Sequence, residues 1–312
     1  MTRNPDPGAE VVVLGAAVVD IVARVPAFPQ VDGIVLADRV DHYPGGSGGN
    51  IASGIARLGC RTGFLGKVGD DDQGRWLTDK FVEDGVITRW MKIKPGGRTA
   101  SCFIAVDQSG QRQIYALGGT ALLESPEEID AASIEGCRIV VITDAYLDTA
   151  FKAAQLAAAQ RAEVLFAPGG LMVSISMIAL EPLLRMTDVL VVSQGEARTL
   201  SGCGNPENAA AALEKIGPKV IIVTLGKDGA LLCMDNHLHH IPSFPVSKIE
   251  DTTGAGDAFV SGVAAGRLHG MNWIDAVRVG CASAANKIAH TGARGGLACW
   301  NDIELALQMT SA

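Results

Sequence analysis

The chain has 312 residues and a formal net charge of −8, with 48% apolar and 19% charged residues. That composition suits one large globular α/β domain and excludes a disordered chain. It also excludes a general nucleic-acid binder, which needs a basic stripe for phosphates, but not a local anion pocket built from backbone N–H groups.

The start, Thr2 to Glu10, is polar and lacks the pattern of a signal peptide. Residues 11–14 form a β-branched run that reads as a buried strand, with Gly15 after it and Asp20 at the end of the segment. From 21 to 43, prolines, Gly33 and alternating Ile34, Leu36 and Val40 predict short exposed strands. Residues 50–58 place Ile51, Ile55 and Leu58 at helical spacing, and Gly59 stops that helix. Two further strands are expected at 101–106 and 113–117, with a hairpin turn at 107–110. Together the two strand-rich segments predict a small sheet outside the main domain. Ser125-Pro126-Glu127-Glu128 has the pattern of a capping box with proline at the first helical position. Beyond it, strands at 139–143, 164–167, 189–192 and 220–224 alternate with helices at 149–161, within 174–185 and at 206–216. That alternation means βαβ units and a parallel sheet covered on both faces. A hairpin at 231–241 and helices at 257–268 and 273–289 complete the chain. No apolar run approaches the roughly 20 residues of a membrane span. The seven cysteines form no CxxC pair, which fits free thiols in a reducing cytoplasm.

The most informative string is Asp251-Thr252-Thr253-Gly254-Ala255-Gly256-Asp257-Ala258-Phe259. Its glycines permit a tight turn and close approach to a ligand, and an apolar stripe predicts a helix directly after it. Such a turn offers N–H groups at a helix N-terminus to a phosphate whose charge grows during transfer. Asp257, in the first turn, is placed to take a proton from an incoming hydroxyl, so the set suits phosphoryl transfer. The plain alternative is a loop-to-helix joint with Asp257 as an ordinary cap. A second cluster, Gly45-Gly46-Ser47-Gly48-Gly49-Asn50, has no GK[ST] ending and so is no P-loop. It is no dinucleotide fingerprint either, because Asp41-His42-Tyr43-Pro44 stands where a strand is required. It reads as a hinge followed by a helix N-terminus with Asn50 beside it, or as a plain loop with Asn50 as a cap.

With these motifs placed, the chain resembles the ribokinase-like, PfkB carbohydrate kinase family from end to end. The N-terminal signature looks like Gly45-Gly46-Ser47-Gly48-Gly49-Asn50 followed by Ala56-Arg57-Leu58-Gly59 and the segment from Gly66 to Gly74, and the C-terminal one like Asp251 to Asp257. The resemblance implies a ribokinase-like α/β/α sandwich with a mostly parallel central sheet and a small β-sheet lid. It makes residues 8–312 one kinase domain, with the lid at about 21–44 and 98–118. It also implies ATP and Mg2+ use and homodimers through the lid. By similarity Asp257 is the base and Gly254, Ala255 and Gly256 form the anion hole. Asp20, Gly46 and Asn50 match sugar contacts. Asp144 lies near a position where some members bind sugar with an acid, and Ser47 stands where ribokinases carry lysine. Thr224, Gly226 and Gly229 match the nucleotide segment, and Cys281 falls where members line the adenine pocket. Glu196 matches the residue that holds Mg2+ through water, while Ser193 replaces the usual asparagine before it. Some members bind a monovalent cation such as K+. Asp251 and Thr253 match the first half of that site, and the second half would come from around Lys287 to Gly296.

The expected activity is therefore ATP-dependent phosphorylation of a small sugar, ribokinase- or fructokinase-like. A nucleoside kinase of the same fold is the alternative, and a non-catalytic sugar- or nucleotide-binding regulator is a reading from another class. A nicotinamide dehydrogenase fails for want of GxGxxG after the first strand. His237, His239 and His240 sit on the expected hairpin, where neighbouring side chains face opposite sides, so they make a poor metal set.

Overall fold

A computed structural model describes residues 8–309. The polar stretch from Thr2 to Pro7 and the last residues of the expected 8–312 domain lie outside the described residues. In chain order the strands are β1 (Val11–Leu14), β2 (Val18–Arg24), β3 (Arg39–Gly45), β4 (Thr62–Leu65), β5 (Lys67–Gly69), β6 (Lys92–Lys94), β7 (Ser101–Val106), β8 (Arg112–Ala116), β9 (Ile139–Ile142), β10 (Glu163–Phe166), β11 (Val189–Ser193), β12 (Val220–Thr224), β13 (Ala230–Met234) and β14 (His237–Ile241). The helices are α1 (Ser47–Arg57), α2 (Asp72–Glu83), α3 (Leu147–Gln160), α4 (Gly169–Val173), α5 (Met177–Leu184), α6 (Gln194–Ser201), α7 (Pro206–Glu214), α8 (Ala255–Leu268), α9 (Trp273–Ile288) and α10 (Trp300–Met309).

Eight strands form one sheet in the order β14-β13-β12-β11-β10-β9-β1-β4. The run from β12 to β4 is parallel, and the β13–β14 hairpin is antiparallel at one edge. The parallel strands read as continuous apolar runs because helices cover both faces. Val11 and Val13 face one core with Ile51 and Ile55 of α1, Phe81 of α2 and Phe259 and Val263 of α8. Val12 and Leu14 face the other with Ala150, Ala153 and Ala157 of α3, Leu183 of α5 and Leu213 of α7. From β1 the chain steps outward to β4 and then returns to β9 on the far side. Strand order therefore reverses between β1 and β9, and open sheets of this kind bind ligands beyond the carboxyl ends of the strands at that reversal.

The smaller sheet has the order β3-β2-β7-β8. Asp20 lies within β2, opposite Tyr43 of β3 and Cys102 of β7, rather than at the end of the first core strand. Three other expectations also need correction. Residues 25–38 form no strand, and Ile34 and Leu36 lie exposed in an irregular loop, because their alternation has no partner strand to pair with. A strand does run directly into the glycine cluster, but β3 pairs antiparallel with β2 in the smaller sheet. It therefore opens no parallel βαβ unit, and the dinucleotide reading still fails. Residues 126–128 make a single 3-10 turn whose Ser125 side chain caps nothing. The carboxylate of Glu128 instead accepts hydrogen bonds from Lys67 Nζ and from the N–H of Glu124, the latter at 2.6 Å.

Candidate active site

Helix α8 starts where Gly254 takes the left-handed conformation, φ 77°, and no side chain caps its first turn. A β-carbon on Gly254 would lie 2.6 Å from the carbonyl oxygen of Ala293, so both conformation and space demand glycine there. The Ala255 N–H donates to the Thr252 carbonyl oxygen at 3.2 Å, no side chain takes the N–H groups after it, and Asp257 is the third residue of the helix. Its Oδ2 accepts a hydrogen bond from Asn50 Nδ2 at 2.8 Å. Asn50 belongs to α1, which also begins at a glycine, Gly46, with no side-chain cap. Ser47, the first residue of α1, favours the ionised forms of both the Asp144 and the Asp257 carboxyls.

Burial pushes the Asp257 carboxyl up to about 6, helped by the charge of Asp144 and opposed by the Asn50 and Ser47 bonds and by Arg294. Asp20 also rises to about 6, again through burial first, with Arg294 opposing and Asp257 adding. Asp144 is raised by burial, with Ser47 opposing and Glu196 adding. Three partly buried carboxyls are thus grouped, a set suited to accept hydrogen bonds from a ligand rich in O–H donors. Gly45 makes room for one of them, because a β-carbon there would lie 2.3 Å from Asp20 Oδ2.

Sequence reasoning missed Arg294, the group that braces this cluster. It is only 5% exposed. Its Nε donates to Asn50 Oδ1 at 3.1 Å and its Nη1 to Ser53 Oγ at 2.9 Å, and the guanidinium lies 4.6 Å from the Phe81 ring centre. Asp84 pairs with Arg294 at 3.5 Å and with Arg57 at 2.6 Å. Burial pulls the Arg294 guanidinium down to about 10 against the pull of Asp84. Because Arg294 takes the Asn50 oxygen, the amide nitrogen is turned toward Asp257. A lone arginine between small residues gives no periodic or motif signal of such a role.

Asp20 also lines a cleft of about 290 Å3 between the smaller sheet and the core, together with Val22, Arg24, Tyr43, Ile104 and residues 249–253. Arg112 of β8 reaches across it, donating to Thr253 Oγ1 at 2.5 Å and lying 3.9 Å from Asp251. A second cleft of about 500 Å3 adjoins it at Ile249 and Thr252. This one brings together Thr224, Gly226, Gly229 and Cys281 with Ala255 and Gly256 of the glycine turn, over walls of Phe244, Ala284 and Ile288. Four of the six residues expected at the nucleotide therefore share a cleft with the turn, and Ser193 and Glu196 do not line it. Those two form a reciprocal capping box at the start of α6. Ser193 Oγ accepts from the Glu196 N–H at 3.2 Å, and Glu196 Oε2 accepts from the Ser193 N–H at 2.7 Å. Ser193 is thus a helix cap, which accounts locally for serine where the family has asparagine.

The expected cation loop is also occupied by its own chain. Asp251 Oδ1 accepts from the Thr253 N–H and Oδ2 from the Gly292 N–H, both at 2.9 Å. Burial alone would raise the Asp251 carboxyl, but these bonds and Lys287 hold it below its ordinary value. Among the described residues no group of three or more metal-ligating side chains forms, the hairpin histidines included.

The family model for pfkB carbohydrate kinases matches residues 9–298. The chain belongs to this family. A fructokinase of Klebsiella pneumoniae is 30% identical over 272 residues, covering 83% of this chain and 85% of that protein. Among solved structures, an Arabidopsis thaliana ribokinase complexed with ribose and ATP superposes with a TM-score of 0.89 at 23% identity, covering 97% of this chain and 99% of that one. An Escherichia coli ribokinase II candidate in complex with ATP and Mg2+ gives a TM-score of 0.84 at 27% identity, over 96% and 99% of the two chains. The pfkB assignment makes this a carbohydrate kinase of ribokinase fold, with the expected mostly parallel sheet and a smaller second sheet.

Proposed function

We propose that this pfkB kinase transfers a phosphoryl group from ATP to a hydroxyl of a small sugar, in the manner of a ribokinase or fructokinase. The observation that carries the reading is Asp257 in the first turn of an uncapped, glycine-opened helix, hydrogen-bonded to Asn50 and with a carboxyl raised to about 6. At neutral pH such a group is ionised yet basic enough to accept the acceptor's proton. The acceptor oxygen forms its bond to phosphorus as the bond to ADP breaks, and the proton passes to Asp257. The Gly256 N–H would face the growing charge, the Ala255 N–H being taken by the Thr252 carbonyl oxygen at 3.2 Å. Asp20, Asn50, Asp144, Ser47 and Gly46 would hold the sugar's other hydroxyls.

The larger cleft suits a nucleotide, having an apolar wall at Cys281 and Ile288 and a glycine turn at its other end. ATP bound there would supply the phosphoryl group and Mg2+ neutralising charge, held through water by Glu196, which lies outside the cleft beside Asp144 and spends only Oε2 on its cap. Of the residues assigned to the sugar only Asp20 lines the smaller cleft, and the likeness to a fructokinase is what favours a monosaccharide over a nucleoside. We also expect a cytoplasmic homodimer joined through the smaller sheet, whose β8 strand is exposed along its whole length. No helix among the described residues is long and apolar enough to cross a membrane.

The test is ATP consumption across a panel of sugars and nucleosides, for the natural chain and Asp257→Asn. Turnover with one sugar, lost in the variant, supports the reading. Turnover with nucleosides alone moves the assignment to a nucleoside kinase. Full activity in Asp257→Asn rejects Asp257 as the base.

A further inference from the structure

The resemblance to pfkB kinases predicts a monovalent cation beside Asp251 and Thr253, and the residues present do not fit one. Lys287, on the last turn of α9, is fully buried. Its Nζ donates to the carbonyl oxygen of Asp251 at 2.7 Å and to that of His290 at 3.2 Å. A potassium ion drawn to the same carbonyls would sit beside an ammonium of like charge in a dry site, at a heavy electrostatic cost. The Asp251 carboxylate offers no easy alternative, because both oxygens already accept backbone N–H groups.

We propose that Lys287 is a tethered replacement for the cation, and that the enzyme works without a free monovalent ion. Burying an ammonium is costly unless its protons are bonded. Here those bonds join two segments that frame the glycine turn. One is residues 250–253, which lead into Gly254, and their N–H groups at Glu250 and Asp251 also bond to the carbonyl of Ile288. The other is residues 290–294, in which Ala293 packs against Gly254 and Arg294 holds Asn50. The charged groups facing the ammonium are Asp251, which favours its charge, and Arg112 from the smaller sheet, which opposes it. Lys287 is therefore a positioning residue: it touches neither cleft's reacting groups but fixes the loop that carries them.

The test compares melting temperature in potassium chloride and in N-methyl-D-glucamine chloride at equal ionic strength. It uses the full chain and Lys287→Met, which keeps the aliphatic stem and vacates the ammonium position. The natural chain is expected to melt at the same temperature in both salts. Lys287→Met is expected to melt lower in the organic cation and to gain stability saturably with potassium, as a protein does when a ligand binds only its folded state. A potassium-selective, saturable rise for the natural chain overturns the proposal. So does a folded Lys287→Met with no preference for potassium. Should the variant fail to fold in the organic cation, recovery in potassium supports the proposal and failure in both salts overturns it. Melting needs no acceptor, so the result is independent of the kinase reading above. With an acceptor in hand, turnover of the natural chain should also be equal in the two salts, and that of Lys287→Met several-fold faster in potassium, a preference that a merely structural lysine would not create.

Discussion

Helices α6 and α8 both begin beside the carboxyl cluster, and they begin in opposite ways. Helix α6 closes its own first turn, since Ser193 and Glu196 exchange hydrogen bonds with each other's backbone. Helix α8 starts on Gly254 with no side chain closing it, although the Ala255 N–H bonds to the Thr252 carbonyl oxygen. Helices α2, α7 and α9 follow the pattern of α6, with caps from Asp71, Asn205 and Asn272. Helix α1 follows that of α8, and the two glycine-started helices meet through the bond between Asn50 and Asp257. A side-chain cap satisfies orphan N–H groups for the sake of stability. Where no side chain caps the turn, backbone carbonyls take one N–H in each helix, Gly49 in α1 and Ala255 in α8, and the remaining N–H groups stay available to an anion.

The largest effect that could break this contrast is catalytic. Asp257→Asn keeps the shape of the turn and removes the proposed base, so turnover should fall about 10²–10⁴-fold. Thermal stabilisation by ATP should survive, because the N–H groups remain. A loss of ATP binding equal to the loss of turnover would show that the turn had been distorted instead.

Arg294→Met comes next. It strips Asn50 and Ser53 of their partner while Asp84 keeps Arg57, so urea unfolding should show a loss of about 2–4 kcal/mol. Turnover should fall as well, because Asn50 becomes free to turn from Asp257. Unchanged stability would sink Arg294 as the brace.

The third prediction concerns pH. Asp20 and Asp257 are both raised to about 6 from 3.8. A carboxyl with a raised pKa binds its proton more tightly folded than unfolded. Its stabilising contribution is therefore complete below about pH 4 and lost as the pH climbs through about 6. Asp20→Asn should accordingly stabilise the fold by about 1 kcal/mol at pH 8, after allowance for its partial exposure, and by little near pH 4. Activity of the natural chain should run the other way, rising with pH through about 6 as Asp257 ionises. An Asp20→Asn protein with equal effects at pH 4 and pH 8 would rule out charge burial at Asp20.

The smallest effect sharpens the comparison from the α6 side. Ser193→Ala should cost about 1 kcal/mol of stability, the usual worth of a cap, and leave the apparent affinity for ATP unchanged in a titration. A weakened nucleotide site with no loss of stability would return Ser193 to the role of a nucleotide contact.

The parallel sheet and the Asp257 turn were legible in the sequence because each is local. Apolar runs such as 139–142 and 220–224 announce strands covered on both faces, and Gly254-Ala255-Gly256-Asp257 packs turn, helix start and proposed base into four residues. Asp20 was misplaced, because no local signal marks where β1 ends and β2 turns away into the other sheet. Ser125 misled in the opposite sense. Its spacing to Glu128 fits a capping box, but Lys67, far away in the chain, competes for that carboxylate. Arg294, Lys287 and Arg112 were invisible as brace, tethered charge and cross-cleft tie. Each acts through a fold-level meeting with a residue that no periodicity connects to it.

Those meetings also set when the protein becomes competent. The bond from Asn50 to Asp257 closes a span of 207 residues, and that from Arg294 to Asn50 a span of 244. Contacts so distant along the chain carry a large loop-closure cost and form late. The brace on Asp257 cannot exist until residue 294 has left the ribosome, by which time the parallel strands can already have paired. A nascent chain of this protein is thus a folded core first and a catalyst last, and shortening it by its final twenty residues would spare the parallel strands while removing Ala293, which packs against Gly254, and the guanidinium that orients Asn50.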